Sequence, residues 1–264
     1  KSGVHSYSIL LGQSTRIERY EFLAGSALNV PGFDDQSKYI ITGSFRNRDA
    51  WDGGSRYHGV SFFTRGTYSY NSKYMATLTF RADGSSKYQK KWGYFPSIGL
   101  GWDLTQEDFM SEQKWFNYLK LRGSWGLLGN DNVPANSAVI LGQTGPGSSA
   151  VFGNTLVDGV GAQTVLQNFL RWEVVSEFNL GVDFVAKNTK FSGDLDLYHR
   201  VTNNVVFYAP IATGGGVAEL LANNGKVLNA GVELMLNWRD NITENLRYNI
   251  SFNATTIHNR VLEL

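Results

Sequence analysis

The chain contains no cysteine, and this absence excludes disulfides and cysteine-ligated zinc. It also lacks a dominant charge, since 24 lysines and arginines stand against 23 carboxylates. The formal net charge of +1 therefore gives no electrostatic basis for nucleic acid as a partner. No apolar run approaches the roughly 20 residues of a transmembrane helix. This absence does not exclude a transmembrane β-barrel, because lipid-facing and lumen-facing residues alternate along its strands and leave no long apolar run.

The composition favours an all-β protein with many turns. Charged residues make up 18% of the chain, below the usual share of about 25%, while glycines number 29 and aromatic residues reach 14%. Neither end has the pattern of a leader or of a terminal barrel strand, because TTIHNRVLEL carries no closing aromatic residue. We therefore expect residues 1–264 to be part of one larger domain.

Nine segments alternate apolar and polar residues over roughly ten positions, a pattern that predicts β-strands. They cover residues 4–13, 58–70, 73–83, 94–105, 118–128, 172–186, 190–202, 227–238 and 246–258. Ordinary strands average about 5–6 residues, whereas strands that cross a membrane need about 9–11. The length of these segments therefore favours a transmembrane barrel.

The predicted connections are alternately long and short, as in outer-membrane barrels with long extracellular loops and short periplasmic turns. Tight turns are expected at Asn71 and Ser72, at Asn188 and Thr189, and around 240–244. The longest loops are expected at 14–57, 129–171 and 203–226. Within the first loop, STRIERYEFLAGSALN has capping-box spacing and predicts a short helix. In the connection after the fourth predicted strand, TQEDFMSEQKWF has the same spacing and predicts a second short helix.

Each strand has one apolar and one polar face. In KFSGDLDLYHR, Leu195 and Leu197 alternate with Asp194 and Asp196, and in the next strand Leu234 and Leu236 lie on the face opposite to that of Glu233. An Arg or Lys facing lipid at midplane costs on the order of 2–4 kcal/mol, so we expect the charges to face a wet lumen and to pair across strands. Aromatic residues near strand ends suit the interfacial girdles. They are Tyr70, Tyr74, Trp102, Trp172 and Trp238.

A soluble β-sandwich or propeller also has strands with one polar face, so alternation alone leaves those folds open. Longer motifs favour the barrel. The stretches KYMATLTFRADGSSKY, GYFPSIGLGW, LKLRGSWGLLGN, WEVVSEFNLGVDF and NNGKVLNAGVELML occur in an order that resembles the SusC/RagA-like family. These are TonB-dependent outer-membrane transporters typical of Bacteroidetes.

The resemblance implies an antiparallel transmembrane β-barrel segment of about nine strands, from the larger plugged barrel of the 22-stranded transporter class. It places the protein in the bacterial outer membrane, in contact with lipid. It further implies a SusD-like surface lipoprotein on the extracellular loops, and the TonB complex acting through a plug domain that residues 1–264 do not match. No cofactor is implied.

The sequence predicts neither catalytic nor metal-binding residues. G-x-S-x-G, P-loop and H-E-x-x-H signatures are absent, and the four histidines lie far apart. Candidates for stacking on a cargo are the loop aromatics Trp51, Tyr57 and Trp92, although packing between loops is an equal alternative. A signature hairpin of the resembled family comprises Arg81, Asp83, Gly84, Ser85 and Ser86, and turn chemistry explains these residues better than ligand binding.

We therefore expect TonB-dependent import of a large nutrient, with an oligosaccharide favoured over an oligopeptide on the habits of the resembled family. Lumen residues of both signs fit a neutral polymer better than a strongly charged cargo. A surface receptor or adhesin that does not transport is a second class, and an outer-membrane hydrolase is disfavoured by the missing catalytic signatures.

Overall fold

A computed structural model describes residues 3–30, 39–40, 48–135, 137, 142–144, 148–162, 165–166, 170–210 and 219–264. Its strands are β1 (His5–Ala27), β2 (Arg48–Tyr70), β3 (Tyr74–Ser85), β4 (Trp92–Asp103), β5 (Phe116–Asn130), β6 (Gly142–Thr144), β7 (Ala150–Phe152), β8 (Thr155–Val157), β9 (Val160–Ala162), β10 (Val165–Leu166), β11 (Glu173–Ala186), β12 (Phe191–Pro210), β13 (Glu219–Thr243) and β14 (Leu246–Glu263). Two short 3-10 helices, Leu104–Gln106 and Asp108–Met110, follow β4.

Nine long strands pair in sequence order as one antiparallel sheet, β1-β2-β3-β4-β5-β11-β12-β13-β14. The short strand β10 adds in parallel to β13, and β6–β9 and β7–β8 form two small ladders. Among the described residues, β1 and β14 each have a single long neighbour, so the sheet is open at both edges. This up-and-down order confirms the antiparallel arrangement of nine long strands that the sequence predicts.

All nine predicted strands are present, but most are longer than expected. The predicted helix in STRIERYEFLAGSALN is wrong, because β1 runs through it to Ala27 and pairs with β2 along its whole length. The predicted loop 203–226 is also too wide, since β12 continues to Pro210 and β13 begins at Glu219. Residues 31–38, 41–47 and 211–218 of these predicted loops lie outside the described part of the chain.

The short connections lie at one end of the sheet. Asn71 and Ser72 both have positive φ, 51° and 55°, and close the β2–β3 hairpin; Thr189, with φ 59°, closes β11–β12. The predicted helix after β4 is only the pair of 3-10 turns, the first of them capped by Asp103. We assign this end to the periplasm and the longer connections to the extracellular side. No helix in the described residues is long and apolar enough to cross a membrane.

Strand register separates the two faces as predicted. Leu195 lies opposite Leu234, and Asp196 opposite Glu233. Directly opposed residues of an antiparallel pair share a face, so apolar and polar rows alternate across the sheet. Large apolar side chains remain exposed along the apolar face, among them Leu78, Leu100, Phe178, Leu180, Leu197 and Phe252. We assign this face to lipid and the polar face to the lumen.

Two rows of rings bound the apolar face. The lower row, next to the short turns, stacks Tyr70, Tyr74 and Trp102 with centroids 6.4 and 6.3 Å apart. The upper row stacks Phe62 with Trp92 at 6.3 Å and Phe80 with Tyr94 at 6.2 Å. Trp102 and Tyr94 are eight residues apart on β4, which is about 26 Å along the strand and roughly 20 Å in height at a 40° tilt. This spacing is close to the apolar band of about 25 Å in outer-membrane barrels.

One girdle prediction is wrong. Trp172 is buried, and it belongs with Tyr88 and Phe95 to a small core on the polar face near the extracellular end. Val133, Leu170 and Leu221 complete this core. The fold therefore buries its core inside the curve of the sheet rather than between two layers.

Candidate functional site

A cleft of about 910 Å³ lies on the polar face of the sheet. Residues from β1 to β5, β11 and β12 line it. Many of them carry hydroxyl groups, namely Ser14, Ser61, Thr77, Thr79, Ser97 and Ser124. Register explains this, because Ser61 faces Ser14 across β1–β2 and Thr79 faces Ser97 across β3–β4. The wall therefore presents many hydrogen-bonding groups to the lumen.

The charges on this face neutralise one another. Arg81 donates Nε to both oxygens of Asp83, at 2.7 and 2.8 Å, and its NH2 donates to Ser61 at 3.1 Å. Arg200 binds Glu177 at 2.7 Å across β11–β12. The Arg200–Glu177 pair confirms the predicted pairing of acids and bases across neighbouring strands, whereas Arg81 and Asp83 pair within β3. Arg65 on the same wall contacts the Thr79 hydroxyl at 3.4 Å.

A three-residue ion cluster lies nearer the periplasm and links β5, β11 and β12. Arg122 donates Nε to Asp183 at 2.8 Å and its two terminal nitrogens to Asp196 at 2.7 and 2.5 Å. Gly181 lies between Arg122 and Asp196 in the strand register. A Cβ at Gly181 would come within 2.6 Å of Arg122 Cζ and 2.7 Å of Asp196 Oδ1. The missing side chain is therefore what lets the guanidinium pass over β11.

At the extracellular mouth of the cleft, Tyr57 is only 7% exposed. Its hydroxyl donates to Asp131 Oδ2 at 2.9 Å, and Lys87 Nζ lies 4.8 Å from the ring centroid. Arg16 approaches the same ring at 5.8 Å. Because Lys87 Nζ also donates to the carbonyl of Asp131 at 2.8 Å, this group of residues ties the β3–β4 hairpin to the start of the long loop.

The buried core continues this attachment to the far end of the long loop. Tyr88 stacks on Trp172 at 4.9 Å, and Phe95 meets Trp172 edge-on at 5.4 Å. The Tyr88 hydroxyl donates to the carbonyl of Asn130, and Trp172 Nε1 donates to the carbonyl of Lys91. Burial raises the pKa of the Tyr88 hydroxyl above its ordinary value. Both ends of the loop are therefore held at one point.

The signature hairpin lies beside this mouth. Arg81 and Asp83 pair on the lumen wall as described above. Gly84 is buried, and a Cβ placed on it would lie 3.4 Å from the Trp92 ring. Ser85 is buried, and its hydroxyl accepts from the Lys87 amide at 3.3 Å.

Ser86, the last residue of the signature, bonds outside its own turn. Its hydroxyl accepts from the His58 amide at 3.0 Å, and its amide donates to the His58 carbonyl. The local backbone contacts predicted for these serines are thus in place, together with a cross-strand link to β2.

The three candidate stacking residues lie apart. Tyr57 and Trp51 occupy alternate positions of β2 that share the lumen face, six residues from each other, and Trp51 is 48% exposed. Trp92 occupies the upper aromatic row on the opposite face, stacked on Phe62. The sequence missed Asp131 and Lys87, which carry no local pattern and meet Tyr57 only through the fold.

A separate cluster fixes the periplasmic link after β4. Glu107 accepts hydrogen bonds from Tyr74 at 2.6 Å, from Trp102 Nε1 at 2.8 Å and from Lys73 at 3.0 Å. These bonds, that from Tyr74 first, hold the pKa of the Glu107 carboxyl at about 2. The link is thereby attached to the lower aromatic row.

Comparison with known proteins identifies the family to which this fold belongs. SusC of Bacteroides thetaiotaomicron, described as a TonB-dependent receptor, is 30% identical over 99% of the chain, and the match spans 26% of SusC. The TonB-dependent receptor P39 of Formosa agariphila is 32% identical over 77% of the chain, which corresponds to 19% of that protein. The chain therefore spans about a quarter or less of these relatives.

A solved structure of the RagAB peptide transporter superposes with a TM-score of 0.83 at 23% identity, over 100% of the chain and 29% of the transporter chain. The family described as TonB dependent receptor-like, beta-barrel, matches residues 5–261. The long antiparallel strands, the lipid-facing rows and these matches agree, so the chain belongs to the TonB-dependent receptor-like β-barrel family of the bacterial outer membrane, with SusC as a relative and the RagAB peptide transporter as a neighbour in fold.

Proposed function

We propose that residues 1–264 form part of the barrel wall of a TonB-dependent importer, and that all of them belong to a single outer-membrane barrel domain. The relatives named above are TonB-dependent receptors, and none of them is named as an enzyme. The remaining strands and a plug domain would come from regions of the relatives that this chain does not span. TonB would act on that plug from the periplasm.

The cargo that best suits this wall is a large neutral and polar oligomer, and we favour an oligosaccharide. The observation that carries this choice is the lumen cleft, which is rich in hydroxyl groups, while two of its arginines, Arg81 and Arg200, bind carboxylates of the same wall. Hydroxyl groups and paired ions exchange hydrogen bonds with sugar hydroxyls without requiring a charged ligand.

Trp51 is the aromatic residue with the strongest case for contacting cargo. It is exposed on the lumen side of a hairpin that rises beyond the upper aromatic row. The Tyr57 hydroxyl donates to Asp131, and Lys87 lies over the Tyr57 ring. We therefore expect Tyr57 to shape the mouth of the cleft and to present only the edge of its ring to the cargo. A contact to Trp92 would have to lie outside the lumen, because its ring lies on the lipid-facing side.

An oligopeptide is the second candidate cargo. Its support is the likeness in fold to the RagAB peptide transporter, and peptide groups would bind the same hydroxyl-rich wall. A receptor or adhesin that uses the loops without import is the alternative from another class. In either importer, we propose that a SusD-like surface lipoprotein rests on the extracellular hairpins, of which β1–β2 and β12–β13 are the longest.

Growth on defined nutrients tests these proposals. A strain lacking the full-length gene should fail to grow on particular glycans as sole carbon source and should grow normally on peptides. Complementation with a full-length W51A variant should raise the glycan concentration needed for half-maximal growth several-fold, whereas W92A should leave it unchanged. A growth defect confined to peptides would identify an oligopeptide as the cargo. Normal growth on both nutrients, together with lost binding of a ligand at the cell surface, would favour the receptor.

A further inference from the structure

The lipid-facing side of the β1–β2 hairpin carries cations just beyond the upper aromatic row. Outward from Phe62, the next positions on this face of β2 are Val60, beside Trp92, then His58 and then Arg56. Arg56 lies directly opposite Arg19 of β1. This face is the one that meets lipid below the aromatic row, so these groups lie outside the barrel and not in its lumen.

Their height brings these arginines within reach of a lipid headgroup. Arg56 is four residues beyond Val60, about 13 Å along the strand and roughly 10 Å in height at a 40° tilt. Val60 shares its row with Trp92, and interfacial aromatic rings lie at headgroup level. The backbone of Arg56 and Arg19 therefore lies just above the headgroups of the outer leaflet, within the reach of a long arginine side chain.

The arrangement of charge is unusual for a sheet. Like charges directly opposite each other in an antiparallel pair are destabilising, and Arg19 and Arg56 are such a pair. Glu21 binds Arg19, through Nε at 2.6 Å. Arg56 is exposed and has no partner in the described part of the chain. One positive charge therefore remains uncompensated, with exposed His58 beside it.

A shallow depression separates the two arginines. It has a volume of about 360 Å³, and its lining includes Arg19, Glu21, Gly54 and Arg56. Gly54 faces Glu21 across the strands, and a Cβ on it would lie 2.6 Å from the carbonyl oxygen of Tyr20, so β1 packs closely against this position. Two neighbouring guanidinium groups at the edge of the depression are suited to the bidentate binding of a phosphate group.

The opposite rim of the barrel is built differently. Near the periplasmic turns, Lys73 binds Glu107, Lys190 binds Asp240, and Arg239 Nε donates to the carbonyl of Thr189. These cations are bound by oxygen atoms of the protein itself. These three cations differ in this respect from Arg56, which has no such partner in the described residues.

We propose that Arg19 and Arg56 bind the phosphate of a lipid in the outer leaflet, with the acyl chains lying along the apolar face below Val60. Anionic headgroups attract basic residues near the membrane surface, each residue changing binding by about fivefold. Glu21 opposes this attraction by holding Arg19, so its charge sets the strength of the site. The site is independent of what passes through the lumen.

The test uses the full-length protein in neutral detergent, with bound lipid counted by native mass spectrometry during titration. Phosphatidic acid should bind with an affinity at least fivefold higher than diacylglycerol. Arg56→Gln should remove that preference, Arg56→Lys should retain most of it, and Glu21→Gln should increase it several-fold. The matched control is Arg65→Gln, an exposed arginine of the same strand on the lumen face, which should bind phosphatidic acid like the unaltered protein.

Several results would overturn the proposal. They are equal binding of phosphatidic acid and diacylglycerol, equal loss in Arg56→Gln and Arg65→Gln, or no gain in Glu21→Gln. Inorganic phosphate that displaces the lipid at equal concentration would show a free-anion site rather than a lipid site. Heat-resistant migration on gels reports whether each variant has folded, and Arg56→Lys and Glu21→Gln keep the test decisive if Arg56→Gln does not fold.

Discussion

The ion cluster of Arg122, Asp183 and Asp196 should couple β5, β11 and β12 energetically. Arg122 makes three charge-assisted hydrogen bonds there, and such bonds contribute roughly 1.5–3 kcal/mol each. The Arg122 and Asp183 side chains are 32% and 30% exposed and Asp196 is 12% exposed, so solvent screens part of this energy. Removing one partner of a fully buried pair costs about 3–5 kcal/mol. We therefore expect Arg122→Gln to lower the free energy of unfolding by about 2–4 kcal/mol.

A double-mutant cycle separates the pair from the general effect of losing a charge. Arg122→Gln leaves two carboxylates facing each other, and Asp196→Asn relieves that repulsion. The double variant should therefore be more stable than the sum of the single losses predicts, by about 1–2 kcal/mol. The measurement is urea unfolding of the full-length protein in lipid vesicles, followed by tryptophan fluorescence.

Gly181→Ala perturbs the same cluster without removing a charge. Its methyl group would occupy the space through which Arg122 reaches Asp196, so it should destabilise the barrel by about 1–3 kcal/mol. Gly99→Ala is the matched control, since Gly99 is a strand glycine of the lumen face whose nearest neighbour for a Cβ is Ser124 Cβ at 3.9 Å. Strict additivity in the cycle, or equal stability of the two alanine variants, would refute the reasoning.

Three further predictions concern the ends, faces and edges of the sheet. The pKa of about 2 for Glu107, set first by the hydrogen bond from Tyr74, lies below the ordinary value of 4.5, so its stabilisation is complete above about pH 4.5 and is lost as the pH falls towards 2; Glu107→Gln should be less stable than the unaltered protein at pH 6 and equal to it near pH 2 in acid titrations. Leu234→Arg on the lipid face should cost about 2–4 kcal/mol in vesicle unfolding, whereas Met235→Arg on the lumen face should cost less than 1; equal costs would contradict the assigned faces. Residues 1–264 expressed alone should aggregate through β1 and β14 rather than form a heat-resistant monomer, as size-exclusion chromatography in detergent can show.

The sequence predicted the strands best where one face meets lipid. Leu195 and Asp196 alternate because one contacts hydrocarbon and the other the lumen, and this contrast is visible in the residues themselves. In STRIERYEFLAGSALN both faces of the strand are exposed to water, so apolar and charged residues can share a side. Ile17, Arg19 and Glu21 lie on one side, and the hydrophobicity therefore shows no period of two. Pairing with β2 decides that segment, and local propensity could not reveal it.

The candidate site was harder to predict for a related reason. Lumen charges such as Asp196 follow from alternation, and their signs could be read from the sequence. The contact of Tyr57 with Asp131 joins residues 74 positions apart, and it depends on where the long loop returns to the sheet. Trp172 was assigned to a girdle because it stands at a strand end, but the rings of Tyr88 and Phe95 bury it instead.

The buried core at the mouth has a consequence for how such a protein can diversify. Val133 and Leu170 are both packed into it, so the chain enters and leaves the long loop at a common base. Insertions or deletions between Val133 and β10 alter the closure entropy only slowly with length, and they leave the register of the nine long strands unchanged. Descendants of one barrel can therefore exchange this loop freely, acquiring new surface chemistry or escaping antibodies and phages, while the wall beneath stays constant.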